Sequence, residues 1–251
     1  MNLILNDIAV GYGRSQVIQG VSLKLASGQC MALIGPNGAG KTTLLNAVSG
    51  QRPLTHGQIH YNGSDITHWK AHRRARLGIG RSFQTTHLFG QLSALDNVAL
   101  AISARQRIGW TQLLSRIPRS TAEHARACLT EVHLGHDAAK PAHLLSHGDK
   151  RKLELAMLLA LEPGLLLLDE PTAGMALSDV PAMLDILARL KDSGRYAMLL
   201  VEHKLDAVFR LADQIAVLQA GALLAVGTPD EISANSQVQA AYLGGSHGTT
   251  A

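Results

Sequence analysis

The stretch Gly35-Pro36-Asn37-Gly38-Ala39-Gly40-Lys41-Thr42-Thr43 constrains this chain more than any other. It satisfies G-x-x-x-x-G-K-[ST] directly after the apolar run Cys30 to Ile34, which reads as a buried strand. Glycines let the backbone curl so that successive N–H groups converge on one point. A helix opening near Gly40 adds its unpaired N–H groups and positive dipole end. The pattern predicts a strand–loop–helix unit that grips the phosphate chain of a nucleoside triphosphate, with Gly35, Asn37, Gly38, Gly40, Lys41, Thr42 and Thr43 as candidate contacts. Lys41 places a point charge between the β- and γ-phosphates, and the Thr42 hydroxyl is a candidate ligand for the Mg²⁺ that bridges them.

A second apolar run, Leu165 to Leu168, ends abruptly in Asp169 and Glu170. Strand ends of this kind face the ligand crevice of an open α/β sheet. Asp169 is a candidate to hold Mg²⁺ through water. Glu170 is a candidate to orient or deprotonate the water that attacks the γ-phosphate, a role worth about 10²–10⁴ in rate. Taken without the phosphate loop, Glu170-Pro171 reads equally well as the start of a connecting loop.

Composition narrows the partners. The chain has 251 residues, of which 46% are hydrophobic, enough for one large core or two small ones. Its 23 Lys and Arg against 19 Asp and Glu leave only +4, and aromatic residues make up 4%. A nucleic-acid surface built on charge and stacking is therefore poorly supported. The two cysteines, Cys30 and Cys128, are far apart and suggest neither a disulfide nor a metal framework. No window approaches the ~20 apolar residues of a membrane span. Met1-Asn2-Leu3-Ile4 lacks a secretory charge segment and cleavage site. These features predict a cytoplasmic chain that meets a membrane only through a partner.

Strand-like runs fill the first third: Leu3 to Val10, Val17 to Leu25, Cys30 to Ile34 and Gln58 to Tyr61. Ala- and Leu-rich helical patterns follow at Ser93 to Gln106 and Ser120 to His133. After about Leu165 strands and helices alternate: Leu165 to Leu168, Val180 to Leu190, Ala197 to Val201, Leu205 to Leu211 and Ile215 to Leu218. Gln219-Ala220-Gly221-Ala222 reads as a hairpin turn, followed by two short helical segments and a flexible Gly/Ser/Thr tail over 244–251.

Two stretches admit two readings each. Ser146 and Asp149, just before an amphipathic helix, form an S-x-x-D cap; the same helix start, with the Ser146 hydroxyl and the Gly148 N–H, is also a ready anion site. Arg73, Arg74, Arg76 and Arg81 crowd the segment from Lys70 to Arg81, either as a solvated helix face or as a contact for a partner's loops or anionic lipid.

The order of these motifs resembles the ATP-binding cassette ATPases of membrane transporters over nearly the whole chain. The resemblance implies an α/β fold: a P-loop NTPase core with a RecA-like mixed sheet, an N-terminal antiparallel β subdomain and an inserted α-helical subdomain. It implies a core over 1–87 and 159–243 and an insertion over 88–158. It also implies ATP and Mg²⁺ as ligands. By the same resemblance Tyr12 stacks on adenine, Gln84 meets the γ-phosphate, the cation and the permease, and His203 contacts the γ-phosphate. Ser146 and Gly148 serve the nucleotide of a second, head-to-tail cassette, either a copy or a sister ATPase. The chain departs from the family pattern at His147 (usually Gly), at Asp149 (usually Gln or Glu), and at Ala176 (usually Asp or Asn). A carboxylate at position 149 is expected to oppose the γ-phosphate.

Gly78 to Gln84, Leu144 to Gly148, Glu202 to Asp206, and the tail stretches Gly227 to Ile232 and Ala241 to Gly244 resemble the branch serving importers of branched-chain and hydrophobic amino acids, with relatives for urea and short amides. The longer segment Ile102 to Ala125 points the same way. This implies a permease, a periplasmic or extracellular solute-binding protein, and a peripheral place on the cytoplasmic face of the membrane. The alternatives are a lipopolysaccharide-type exporter ATPase, a soluble cassette ATPase without a permease, and a regulatory subunit that binds ATP without turnover.

Overall fold

A computed structural model describes residues 2–13, 15–82, 88–106 and 117–243. Its elements run β1 (Leu3–Tyr12), β2 (Ser15–Leu25), β3 (Cys30–Ile34), α1 (Lys41–Val48), β4 (His56–Tyr61), β5 (Ser64–Asp65), α2 (Ala71–Arg76) and β6 (Ile79–Arg81). Next come α3 (Ala94–Gln106), α4 (Arg119–Glu131), α5 (His147–Leu159), β7 (Leu165–Asp169), α6 (Val180–Asp192) and β8 (Ala197–Val201). The described chain closes with α7 (Leu205–Leu211), β9 (Gln214–Gln219), β10 (Ala222–Gly227), α8 (Pro229–Ala234) and α9 (Ser236–Leu243).

The strands form two sheets. One is antiparallel, in the order β2-β1-β4-β5; the other has the order β10-β9-β3-β8-β7-β6. Within the second, β9, β3, β8, β7 and β6 pair in parallel and β10 returns antiparallel through the Ala220-Gly221 turn. The unbroken apolar runs β3, β7 and β8 are buried at every residue, as strands covered on both faces must be. Side-chain alternation splits β7 and β8 between two cores. Leu165, Leu167, Leu199 and Val201 pack with α1 and the antiparallel sheet; Leu166, Leu168, Met198 and Leu200 pack with α3, α4, α5 and α6. Each fully buried Leu among these contributes about 1.5–3 kcal/mol.

Within the basic segment Arg73 and Arg76 are exposed, whereas Arg74 and Arg81 depart from both sequence readings. Arg74 is only 2% exposed. Its guanidinium donates to the carbonyls of Ala47 (2.7 Å), Val48 (2.8 Å), Thr67 (2.9 Å) and Trp69 (3.0 Å). Two of those carbonyls end α1, where a cation satisfies otherwise orphaned acceptors and the negative dipole end. Arg73 stacks on Trp69 at 3.6 Å from the ring centre. Arg81 is turned inward as well. The short strand β6 escaped the sequence reading because three residues containing a glycine carry no periodicity. The tail over 244–251 lies outside the described residues, as does 107–116 of the long insertion segment.

Both cysteines are buried and free. Burial, reinforced by Asp213, pushes the Cys30 thiol up to about 12, and burial with Glu131 pushes Cys128 up to about 11. Neither should label with maleimide in the folded chain near neutral pH, and both should label after denaturation. Rapid native-state labelling followed by mass spectrometry would contradict this packing.

Candidate functional site

The loop from Gly35 to Gly40 leaves β3 and enters α1 under tight steric control. Gly35 has φ +146° and Gly40 φ +103°. A Cβ at Gly35 would lie 2.0 Å from the Leu218 carbonyl oxygen, and one at Gly40 2.5 Å from Ile18 Cδ1. The backbone passes so close to β9 and β2 that only glycine fits there. Lys41 opens α1 with its side chain drawn back over the loop, where its ammonium donates to the carbonyls of Gly35 (2.7 Å) and Pro36 (3.0 Å). Burial lowers the Lys41 pKa, while Glu170 and Asp169 pull it back up.

A cleft of about 230 Å³ opens over this loop, lined by Asn37, Gly38, Gly40, Lys41, Thr42 and Thr43 together with Glu170, His203 and Val17. Residues more than 160 positions apart in the sequence thus face one space. Glu170 follows β7 with φ +51°, a sparsely populated conformation for a non-glycine residue. It is held there by its own N–H donating to Val201 of β8 (2.9 Å). His203 follows β8, and its Nε2 stands 2.9 Å from Glu170 Oε1.

A residue to which the sequence reading gave no role fixes that geometry. Glu202 is 4% exposed. Its Oε1 accepts from the Thr172 N–H (3.2 Å) and hydroxyl (2.6 Å), and its Oε2 accepts from the His203 N–H (3.1 Å). The loop after β8 is thereby tied to the loop after β7. The readable signal was a carboxylate ending an apolar strand, the same signal that marked Asp169.

Asp169 is buried, with Oδ1 3.3 Å from the Thr42 hydroxyl and Oδ2 3.4 Å from the Arg81 guanidinium. Burial raises its pKa, and Arg81 opposes that shift. Hydroxyl and carboxylate oxygens at this spacing suit Mg²⁺, a hard cation that keeps several water and phosphate ligands. Among the described residues no group of three or more His, Cys, Asp or Glu side chains could hold a metal ion.

Tyr12, at the end of β1, is 46% exposed. The Arg52 guanidinium lies 3.8 Å from its ring centre and donates to the Gly11 carbonyl at 2.7 Å. Ser146 caps α5: its hydroxyl accepts from the Asp149 N–H (3.0 Å) and donates to Asp149 Oδ2 (2.8 Å), while Lys152 holds Asp149 Oδ1 at 2.9 Å. The Asp149 carboxylate is therefore engaged within its own helix. Gly148 packs against Asp179, whose Oδ2 would be 2.6 Å from a Cβ there. Tyr12, Ser146 and Gly148 stand outside the phosphate cleft, and Gln84 lies outside the described residues.

Comparison with known proteins bears on the family and the fold. The ABC transporter family profile matches residues 18–173, and that of the branched-chain amino acid ATP-binding cassette transporters matches 222–248. The chain is 34% identical to the high-affinity branched-chain amino acid transport ATP-binding protein BraF of Pseudomonas aeruginosa, over 96% of this chain and 97% of that protein. It is 32% identical, over the same shares, to the corresponding protein LivG of Escherichia coli K12. A crystal structure of an ABC transporter's ATP-binding cassette in its ADP conformation superposes with a TM-score of 0.84 at 27% identity, covering 97% of this chain and 99% of that one. A nucleotide-free cassette gives 0.83 at 26% identity, covering 96% and 99%. The chain belongs to the ATP-binding cassette transporter family.

Proposed function

We propose that this chain binds and hydrolyses ATP to energise an importer of branched-chain or other hydrophobic amino acids, or of related small solutes such as urea and short amides. The observation that carries the reading is the convergence of the phosphate loop, Glu170 and His203 on one cleft. The match of residues 222–248 favours the amino-acid branch over export.

In this reading the loop amides from Asn37 to Thr43 and the Lys41 ammonium take the phosphates, and Tyr12, backed by Arg52, takes adenine. Thr42 and Asp169 hold Mg²⁺, which when bound neutralises charge on the β- and γ-phosphates. Glu170 orients the attacking water and accepts its proton, and His203 contacts the γ-phosphate; Gln84 completes the set. Ser146 and Gly148 act on the nucleotide of a second cassette docked head to tail. The element order supports a core over 1–87 and 159–243 with a helical insertion over 88–158. No helix among the described residues is long and apolar enough to cross a membrane. The chain then works at the cytoplasmic face, against permease subunits fed by a solute-binding protein.

Cells deleted for this chain should lose energised uptake of radiolabelled leucine. The unmodified chain should restore it and Lys41→Ala should not. Undiminished uptake in the deletion strain, or rescue by Lys41→Ala, would overturn the proposal.

A further inference from the structure

Arg81 ends β6, the edge strand beside β7, and its side chain is 10% exposed. Its guanidinium reaches two elements at once. One terminal nitrogen donates to Ser49 Oγ (2.9 Å), at the C-cap of α1; the other pairs with Asp169 Oδ2 (3.4 Å), at the end of β7. The neighbouring Ser82 grips the same residue through the backbone: its hydroxyl accepts from the Asp169 N–H at 3.0 Å, and its own N–H donates to Leu167 at 2.9 Å. With Oδ2 occupied by Arg81, the carboxylate presents Oδ1 to Thr42.

We propose that Arg81 is a positioning residue for the divalent cation, presetting the two protein oxygens that receive it. The inference rests on the reading above that Thr42 and Asp169 hold the metal. Arg81 bridges the last turn of the helix that begins with Lys41-Thr42 to the strand end that carries Asp169, so it fixes the distance between the two donors. The planar fork matters, because its two terminal nitrogens each take one partner in a fixed plane, a geometry the single nitrogen of an ammonium does not reproduce.

Charge alone leads to the opposite expectation: a cation this close repels the metal, and its removal should tighten binding. Positioning dominates here because the Arg81 charge is already paired with Asp169, whereas a freed carboxylate can turn away from Thr42. Outer hydrogen-bond partners of metal ligands change affinity by about 10–100-fold.

The test is Mn²⁺ binding to the full chain with ADP, read by the loss of the free-ion signal in electron paramagnetic resonance, Mn²⁺ sharing the octahedral oxygen preference of Mg²⁺. Arg81→Met and Arg81→Lys should each weaken Mn²⁺ binding about 10–100-fold, while ADP binding without metal and the denaturation midpoint of Arg81→Lys stay as in the unmodified chain. Unchanged Mn²⁺ binding in Arg81→Lys, or tighter binding in Arg81→Met, would overturn the role. Asp169→Asn separates the two levels: if it too leaves Mn²⁺ binding intact, the metal assignment itself is wrong. Should Arg81→Met fail to fold, Arg81→Lys alone decides.

Discussion

Replacing Glu170 with Gln should cut ATP turnover by about 10²–10⁴ while leaving nucleotide bound. That loss equals about 3–5 kcal/mol in the barrier. Gln keeps the shape of the side chain and its place in the lining of the phosphate cleft, so the effect isolates proton acceptance from packing. The phosphate loop, Lys41 and the Asp169–Thr42 pair are untouched, so binding should persist. His203 lies within hydrogen-bonding reach of Glu170, and Gln can still meet it. A steady-state phosphate-release assay alongside a filter-binding measurement checks both parts. Turnover at the unmodified rate would show that Glu170 is not the base.

The largest stability effect belongs to Arg74→Ala. The guanidinium is buried and donates to four backbone carbonyls. Without it, the carbonyls of Ala47 and Val48 at the end of α1 and those of Thr67 and Trp69 lose these donors. Each buried acceptor left unsatisfied costs about 1–3 kcal/mol, less where water enters the space. A net loss of about 3–5 kcal/mol is expected, measured as a drop in urea midpoint at constant m-value. Arg74→Lys should recover only part of it, since one ammonium cannot reach carbonyls on three sides. A change within about 0.5 kcal/mol, the range of ordinary surface substitutions, would show the guanidinium to be dispensable.

Arg74 also marks the limit of what the chain's sequence reveals. The phosphate loop, Asp169 and Glu170 were legible because each sits in a short stretch whose order encodes its chemistry: glycines before a lysine, carboxylates after leucines. The central strands were legible because they are apolar throughout. Arg74 and Arg81, by contrast, stand among other basic residues in a polar context, and nothing local separates a buried guanidinium from a solvated one. Their partners lie in α1, the loop before α2 and the end of β7, so only the packed structure identifies them. The ring stacking of Arg52 on Tyr12 joins residues forty positions apart and was hidden for the same reason. The cap at Ser146 was readable; that Lys152 holds Asp149 one turn further on was not.

Strand β7 sends alternate leucines into the two cores, and its last residue is Asp169. Slackening on either side of the sheet therefore displaces the acidic pair at its tip.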